Sequence, residues 1–226
     1  PDDAPEIERM KARLIVDLLR SRVNERLPEI GVAYGTVELA VSRLHLNDYM
    51  FVIDLEDAFF NWRVHPEDTN LLGFYSPARR QYGKYLFFPF GLKTSPGVND
   101  DNTKETLRLL KRREGITLTD FVDDFFGAAS SISGAWAELR TAVHFLLQAG
   151  VPVSSKPTDI KPPCQQQTWI GWIFDTVKAC VSVSVEKCQR SQISMQSCFG
   201  SRQFQNFEGS SISRSSRFGL AHSRVV

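Results

Sequence analysis

The residues of this chain best suited to chemistry are three aspartates. Asp54 ends the apolar run Tyr49-Met50-Phe51-Val52-Ile53, and Asp123 and Asp124 stand side by side between Phe121-Val122 and Phe125-Phe126. A carboxylate among apolar residues loses its hydration, and two neighbours repel each other, so one is driven neutral unless a cation offsets them. A divalent metal supplies that offset. Mg²⁺ is held by few carboxylates and keeps positions for water and substrate phosphates. Two such ions activate a hydroxyl nucleophile and stabilise the departing oxygen of an in-line phosphoryl displacement. Taken singly, each acid is a weak signal, since Asp is favoured in turns and an Asp-Asp reads equally as an acidic turn. Asp54 and Asp123 lie 69 residues apart, and what fills that interval decides between the readings.

The elements that must carry these acids are legible in outline. Residues 49 to 55 have the aromatic and β-branched content of a buried strand with one carboxylate at its tip, followed by a helical turn through Ala58, Phe59 and Phe60. Residues 116 to 129 read as a hairpin bent at Asp123 and Asp124. Between them, residues 71 to 88 predict a second hairpin, with Leu-Leu-Gly-Phe-Tyr and Lys-Tyr-Leu-Phe-Phe as its strands. Ser95 is expected to cap a helix that begins at Pro96, runs to about Arg113 and stops at Gly115. Trp136, Leu139, Val143, Leu146 and Leu147 follow helical spacing over 135 to 148, before Gly150 and Pro152. A last strand pair, 168 to 174 and 179 to 183, flanks a turn at 175 to 178. Residues 9 to 20 fit a helix or a strand equally.

Bulk properties narrow the class. The 226 residues allow one large domain or two small subdomains around a shared core. Net charge is +1; residues 189 to 226 hold five Arg against Glu208 alone, so the other 188 residues carry −3. A protein that coats nucleic acid nonspecifically is far more basic, so any such contact must come from a local groove. Cys164, Cys180, Cys188 and Cys198 form no Cys-x-x-Cys pair and read as free thiols in a reducing setting. No apolar run reaches bilayer length and no secretory pattern opens the chain, so an intracellular protein (cytoplasm or nucleus), not secreted and without membrane contact, is expected. With Met10 the first methionine, a longer coding region is expected. The last 38 residues hold ten Ser and no Lys, the composition of a disordered or poorly packed end.

Read as ordered blocks, residues 9 to 185 resemble a retroelement reverse transcriptase, an RNA-directed DNA polymerase. Lys11-Ala12-Arg13-Leu14-Ile15-Val16-Asp17-Leu18 resembles the fingers motif whose arginine meets the incoming triphosphate. Val52-Ile53-Asp54-Leu55-Glu56-Asp57-Ala58-Phe59 resembles the first palm motif, and Phe88-Pro89-Phe90-Gly91-Leu92-Lys93-Thr94-Ser95-Pro96 the loop-to-helix motif under the templating base pair. Phe121-Val122-Asp123-Asp124 resembles the Tyr-x-Asp-Asp signature, while 150 to 156 and Trp169-Ile170-Gly171-Trp172 resemble the next two palm motifs, ending in the primer grip. The Phe-Gly-Leu-Lys-x-Ser-Pro form and the Trp-Ile-Gly-Trp-Ile-Phe-Asp-Thr run look most like retrotransposon enzymes of the Gypsy and DIRS type, leaning to DIRS.

The resemblance implies an α+β fold, a right-hand polymerase with fingers and a palm whose antiparallel sheet is backed by helices. It assigns 1–48 to part of the fingers and the approach to the palm, 49–62 to the palm with the first catalytic motif, and 63–94 to a fingers hairpin. Residues 95–185 fall to the palm with the Asp-Asp hairpin and primer grip, and 186–226 to a partial or degenerate thumb. Asp54, Asp123 and Asp124 would be catalytic and would hold two Mg²⁺ ions, with Mn²⁺ as an alternative. Asp124 would mainly orient its neighbour. Arg13, Leu55, Asp57, Ala58, Phe59, Phe90 and Lys156 would bind the nucleotide: Arg13 by its planar fork, Phe59 by excluding a 2′-hydroxyl, Lys156 by protonating pyrophosphate. Gly91, Ser95, Pro96, Phe121, Val122, Trp169, Gly171 and Trp172 would meet template and primer. Plainer readings stand beside these, namely core aromatics for Phe59, Trp169 and Trp172 and solvated surface cations for Arg13 and Lys156.

The chain also departs from the pattern. Phe121 replaces a Tyr, Phe90 stands where many viral enzymes have Gln, and Asn99-Asp100-Asp101-Asn102 is polar where an apolar, aromatic-containing helix start is usual. Partners implied are an RNA or DNA template with primer, dNTP, and RNase H, recombinase or integrase domains outside this chain. The leading expectation is nucleotidyl transfer from dNTP to a primer 3′-hydroxyl. Its rival is an inactive remnant that only binds nucleic acid or protein. A two-metal nuclease uses similar acids but leaves the Phe-Gly-Leu-Lys-x-Ser-Pro block and the primer-grip run unexplained.

Overall fold

A computed structural model describes residues 17–184 other than 19, 21, 77, 78, 155, 157 and 158, together with 196–198. Its helices are α1 (Val23–Arg26), α2 (Val37–Ser42), α3 (Ser95–Glu114) and α4 (Ile132–Gln148), with short 3-10 turns at Ala58–Asn61 and Thr69–Leu72. The strands are β1 (Tyr49–Asp54), β2 (Gly73–Ser76), β3 (Gln81–Lys84), β4 (Thr119–Phe121), β5 (Asp124–Ala129), β6 (Ile160–Cys164), β7 (Gln166–Trp169), β8 (Trp172–Asp175), β9 (Cys180–Val183) and β10 (Gln196–Cys198).

The expected α+β architecture of antiparallel sheet and helices is what forms. One four-stranded sheet has the order β4-β5-β1-β6, a second the order β10-β9-β8-β7, and β2-β3 make a separate hairpin. Strand β1 is apolar without alternation because both its faces are covered. Phe51 and Ile53 join Leu110 of α3, Leu139 and Leu146 of α4, and Phe125 of β5 in one core. Met50 and Val52 point the other way, into a core with Val41 and Leu44, Phe126, Trp169, Phe174 and Val181. Burial of this apolar surface on two sides makes β1 the fixed reference for everything attached to it.

Helix α4 starts three residues before its periodic stretch, because the Ser131 hydroxyl accepts from Gly134 N at 3.1 Å and caps it. Trp136 and Leu147, expected on its buried stripe, are 40% and 55% exposed. Helix α3 ends at Gly115, whose φ of 75° takes the left-handed C-cap conformation.

Four sequence expectations are corrected. Ser95 does not cap α3: it lies inside the first turn, Thr94 is the N-cap residue, and the Ser95 hydroxyl donates to Pro89 O at 3.0 Å instead. The second strand of the 71–88 hairpin is Gln81–Lys84, since Gly73 pairs with Lys84 and Ser76 with Gln81, leaving a shorter turn. Residues 168 to 174 are not one strand. They fold back at Ile170-Gly171 with Trp169 opposite Trp172, and φ values of 44° and 79° give the two positive-φ residues of a tight hairpin. Within the serine-rich end, Gln196–Cys198 forms a strand on β9; the rest of that end lies outside the described residues.

Candidate active site

Register brings the three acids together. In the β1–β5 ladder Asp54 stands directly opposite Asp124, and Phe121 opposite Asp124 closes the β4–β5 hairpin around Val122 and Asp123. Beyond β1 the backbone continues the pairing, with Leu55 N donating to Asp123 O at 2.9 Å. From the other side, Ser154 N donates to Asp54 O at 2.9 Å and Glu56 N to Pro152 O at 3.0 Å. Asp54 is therefore gripped between the Asp-Asp hairpin and the segment 152–154.

A cavity of about 170 Å³ opens at this junction. Of the residues expected to act, Asp54, Leu55, Asp57, Ala58, Phe59, Phe90, Val122, Asp123 and Lys156 line it, joined by Glu56 and Ser154. Asp57 bends the chain with a φ of 47°, which turns Ala58 and Phe59 into the cavity wall. Phe90 sits edge-on between Phe59 and Phe60, each ring centroid 5.3 Å away, so the apolar wall is braced.

The other expected residues that are described do not line the cavity. Asp124 stands opposite Asp54 in the β1–β5 ladder. Gly91 is held by Asn24, whose side chain donates to Gly91 O at 2.8 Å and accepts from Lys93 N at 2.9 Å. Ser95 and Pro96 open α3 behind that loop. Phe121 is exposed and stacks at a tilt on Tyr34, with centroids 5.5 Å apart. Trp169 is completely buried against Phe126 and Phe174, so any primer contact from its hairpin comes from the turn and the half-buried Trp172, not from the Trp169 ring. Arg13 lies outside the described residues.

The electrostatics show a site short of positive charge. Burial, then the neighbouring Asp124, Asp123 and Asp159, push the Asp54 carboxyl up to about 7, with Lys156 opposing. Asp124 is pushed up to about 6 by burial and by Asp123 and Asp159, against Lys161. Among the described residues no group of three His, Cys, Asp or Glu side chains is placed to hold a metal ion by itself. An open site of few carboxylates, completed by water and phosphate oxygens, is what Mg²⁺ accepts. The all-oxygen donors and their raised proton affinities fit such an ion, which would draw these groups to the ionised form.

Three contributors had no motif to announce them. Asp159 accepts from the Ser154 hydroxyl at 2.5 Å and lies 3.4 Å from the Lys156 ammonium, linking that lysine to the acidic cluster. Asn24 shapes the Gly91 loop from 67 residues away. Asn99, noticed only as a polar departure, is 1% exposed and bonds across the site. No local pattern marks such residues, because their partners are distant in sequence.

The chain is similar to known proteins in sequence and in fold. The family described as "Reverse transcriptase (RNA-dependent DNA polymerase)" matches residues 6–174. The Gag-Pol polyprotein of Gibbon ape leukemia virus is 28% identical over 129 residues, covering 54% of this chain and 8% of the polyprotein. The Gag-Pro-Pol polyprotein of Mouse mammary tumor virus is 28% identical over 113 residues, covering 47% and 6%. The chain thus spans less than a tenth of these relatives. Among solved structures, the foamy viral protease-reverse transcriptase dRH in complex with double-stranded DNA superposes with a TM-score of 0.66 at 19% identity, over 81% of this chain and 30% of that one. The same viral protein with an RNA/DNA hybrid gives 0.61 at 20% identity, over 75% and 22%.

Proposed function

The chain belongs to the reverse transcriptase (RNA-dependent DNA polymerase) family, and from that premise we propose that it is a working polymerase. A primer 3′-hydroxyl gives its proton to water as its oxygen attacks the α-phosphorus of a dNTP, forming the phosphodiester bond while the bond from that phosphorus to the α–β bridging oxygen breaks and pyrophosphate leaves. The observation that carries this reading is Asp54 opposite Asp124, with Asp123 beside them, at one cavity wall with Phe59, Phe90 and Lys156.

Asp54 and Asp123 would hold the metal ions, and Asp124 would orient Asp123. When bound, two Mg²⁺ (or Mn²⁺) ions supply the charge that lowers the proton affinity of the 3′-hydroxyl and stabilises the leaving oxygen. This chain's own residues position the reactants and exclude water. The Phe59 ring, braced by Phe90, stands where a 2′-hydroxyl would fall. Lys156, placed by Asp159, offers its proton to pyrophosphate, and Arg13 offers its fork to the triphosphate. Gly91, Ser95 and Pro96 shape the template side; Phe121, Val122, Gly171 and Trp172 face the primer side. The foamy viral structures carry double-stranded DNA or an RNA/DNA hybrid, which supports a primed RNA or DNA template as the partner here.

The motif forms favour a retrotransposon enzyme of the Gypsy/DIRS type, working inside a cell where dNTPs are, with RNase H, recombinase or integrase functions carried elsewhere in the element. The fingers and palm division at 49, 63, 95 and 186 follows from the same blocks. Of the polar helix start, which favoured an inactive remnant, Asn99 is buried and bonded at both ends of its carboxamide, while Asp100 is bonded through one oxygen and has its other oxygen buried without a partner.

Primer extension on an RNA template with dNTP and Mg²⁺ tests the proposal. Wild-type protein should extend the primer, and Asp123→Asn, shown folded by circular dichroism, should lose at least about 100-fold in rate, as for loss of one preorganised electrostatic group. Extension by wild type no greater than by Asp123→Asn establishes the remnant instead.

A further inference from the structure

Val122 holds a β-branched side chain at φ 58°, in the left-handed region that favours glycine. A backbone in that state persists only where its surroundings over-determine it. Asn99, in the first turns of α3 and almost wholly buried, supplies the constraint: its side-chain N–H donates to Val122 O at 3.1 Å. The next carbonyl, of Asp123, accepts from Leu55 N at 2.9 Å, so two successive carbonyls of the turn are held, one from α3 and one from the residue after β1. The far end of the same carboxamide is also occupied, since Asn99 Oδ1 accepts from Trp62 Nε1 at 2.9 Å. An indole N–H only donates and a carbonyl only accepts, so these two partners fix which way round the carboxamide stands. Trp62 follows directly on the 3-10 turn Ala58–Asn61 that carries Phe59. One side chain therefore ties the cavity wall at Phe59 to the turn that presents Asp123.

We propose that Asn99 is a positioning residue for polymerisation: its carboxamide holds Val122 in the left-handed turn and so aims the Asp123 carboxylate at the metal position. This rests on the polymerase reading, yet its consequence for cation binding is measurable without turnover. An ordinary buried asparagine would affect stability alone.

The test uses the full chain with Mn²⁺ as probe, its binding read by electron paramagnetic resonance, beside melting temperature and Mg²⁺ titration of primer extension. Asp123→Asn fixes the baseline and should weaken Mn²⁺ binding at least tenfold. Asn99→Leu, close in volume and apolar, should weaken it threefold or more, raise the half-saturating Mg²⁺ by a similar factor and leave the dNTP KM within twofold. If that variant does not fold, Asn99→Ala is read on the same scale. Trp62→Phe loses its own bond to Asn99 but not the bond to Val122, and should stay within twofold of wild type. Mn²⁺ affinity within twofold of wild type in the Asn99 variant overturns the proposal, as does an equal shift in Trp62→Phe or a wild type that binds no Mn²⁺. Absence of extension by wild type with the Mn²⁺ pattern intact counts against the polymerase reading and not against this one.

Discussion

Asp54 and Asp124 carry proton affinities raised in the folded chain, and a carboxyl in that state stabilises the fold while protonated. That contribution is fully present below the unfolded value near 4, is lost as pH rises, and is gone above the folded values of about 7 and 6. The metal-free protein should therefore melt higher at pH 5 than at pH 8, other groups being equal. Millimolar Mg²⁺ should close much of that gap, because an ion that binds only the folded site adds stability in proportion to its occupancy. Differential scanning fluorimetry at the two pH values, with and without Mg²⁺, reads both effects. Phe59 makes a separate statement at this scale. Its ring is held in place by Phe90 at 5.3 Å, so trimming it to Val opens the space a 2′-hydroxyl needs. The ratio of ribonucleotide to deoxyribonucleotide incorporation should rise at least about tenfold, a discrimination within reach of one packing contact; an unchanged ratio removes Phe59 from the sugar.

At the scale of elements, turns do much of the positioning. The β7–β8 hairpin needs two successive positive φ values, and Ile170 is poorly suited to the first of them. Ile170 stays there because its side chain packs on the core of Met50, Val52 and Phe126, whereas Gly171, at a φ of 79°, holds a backbone conformation that disfavours any side chain, so Gly171→Ala should cost about 1 kcal/mol or more in urea unfolding. The sequence showed an apolar run there and gave no Asn-Gly or Gly-x signal, which is why it read as one continuous strand. The Ser95 correction has a similar origin. Ser before Pro is a sound cap signal, but the nearby Pro89 carbonyl offered its hydroxyl a buried partner instead. Local rules rank the available bonds without knowing which distant groups arrive.

For the whole molecule, β1 is the shared wall of two cores, with Phe51 and Ile53 on one side and Met50 and Val52 on the other. Neither core can melt without exposing that strand, so the two should unfold together. Leu139→Ala in one core and Phe174→Ala in the other should each cost about 2–5 kcal/mol and shift a single urea transition; separate transitions by fluorescence and circular dichroism contradict a common core. The sequence by itself determined the three acids, the strand that ends in Asp54, the hairpin bent at Asp123, both long helices and the order of motifs. Each of these depends on local composition and periodicity, which a chain carries along its length. Only the tertiary structure decided that Asp54 faces Asp124, that Trp169 is interior, and that Asn24 bonds to Gly91, Asn99 to Val122 and Asp159 to Ser154. Those facts depend on strand register and on bonds between residues far apart in sequence. Burial gives such bonds their strength, by making an unpaired polar group costly, and burial is a property of the assembled fold.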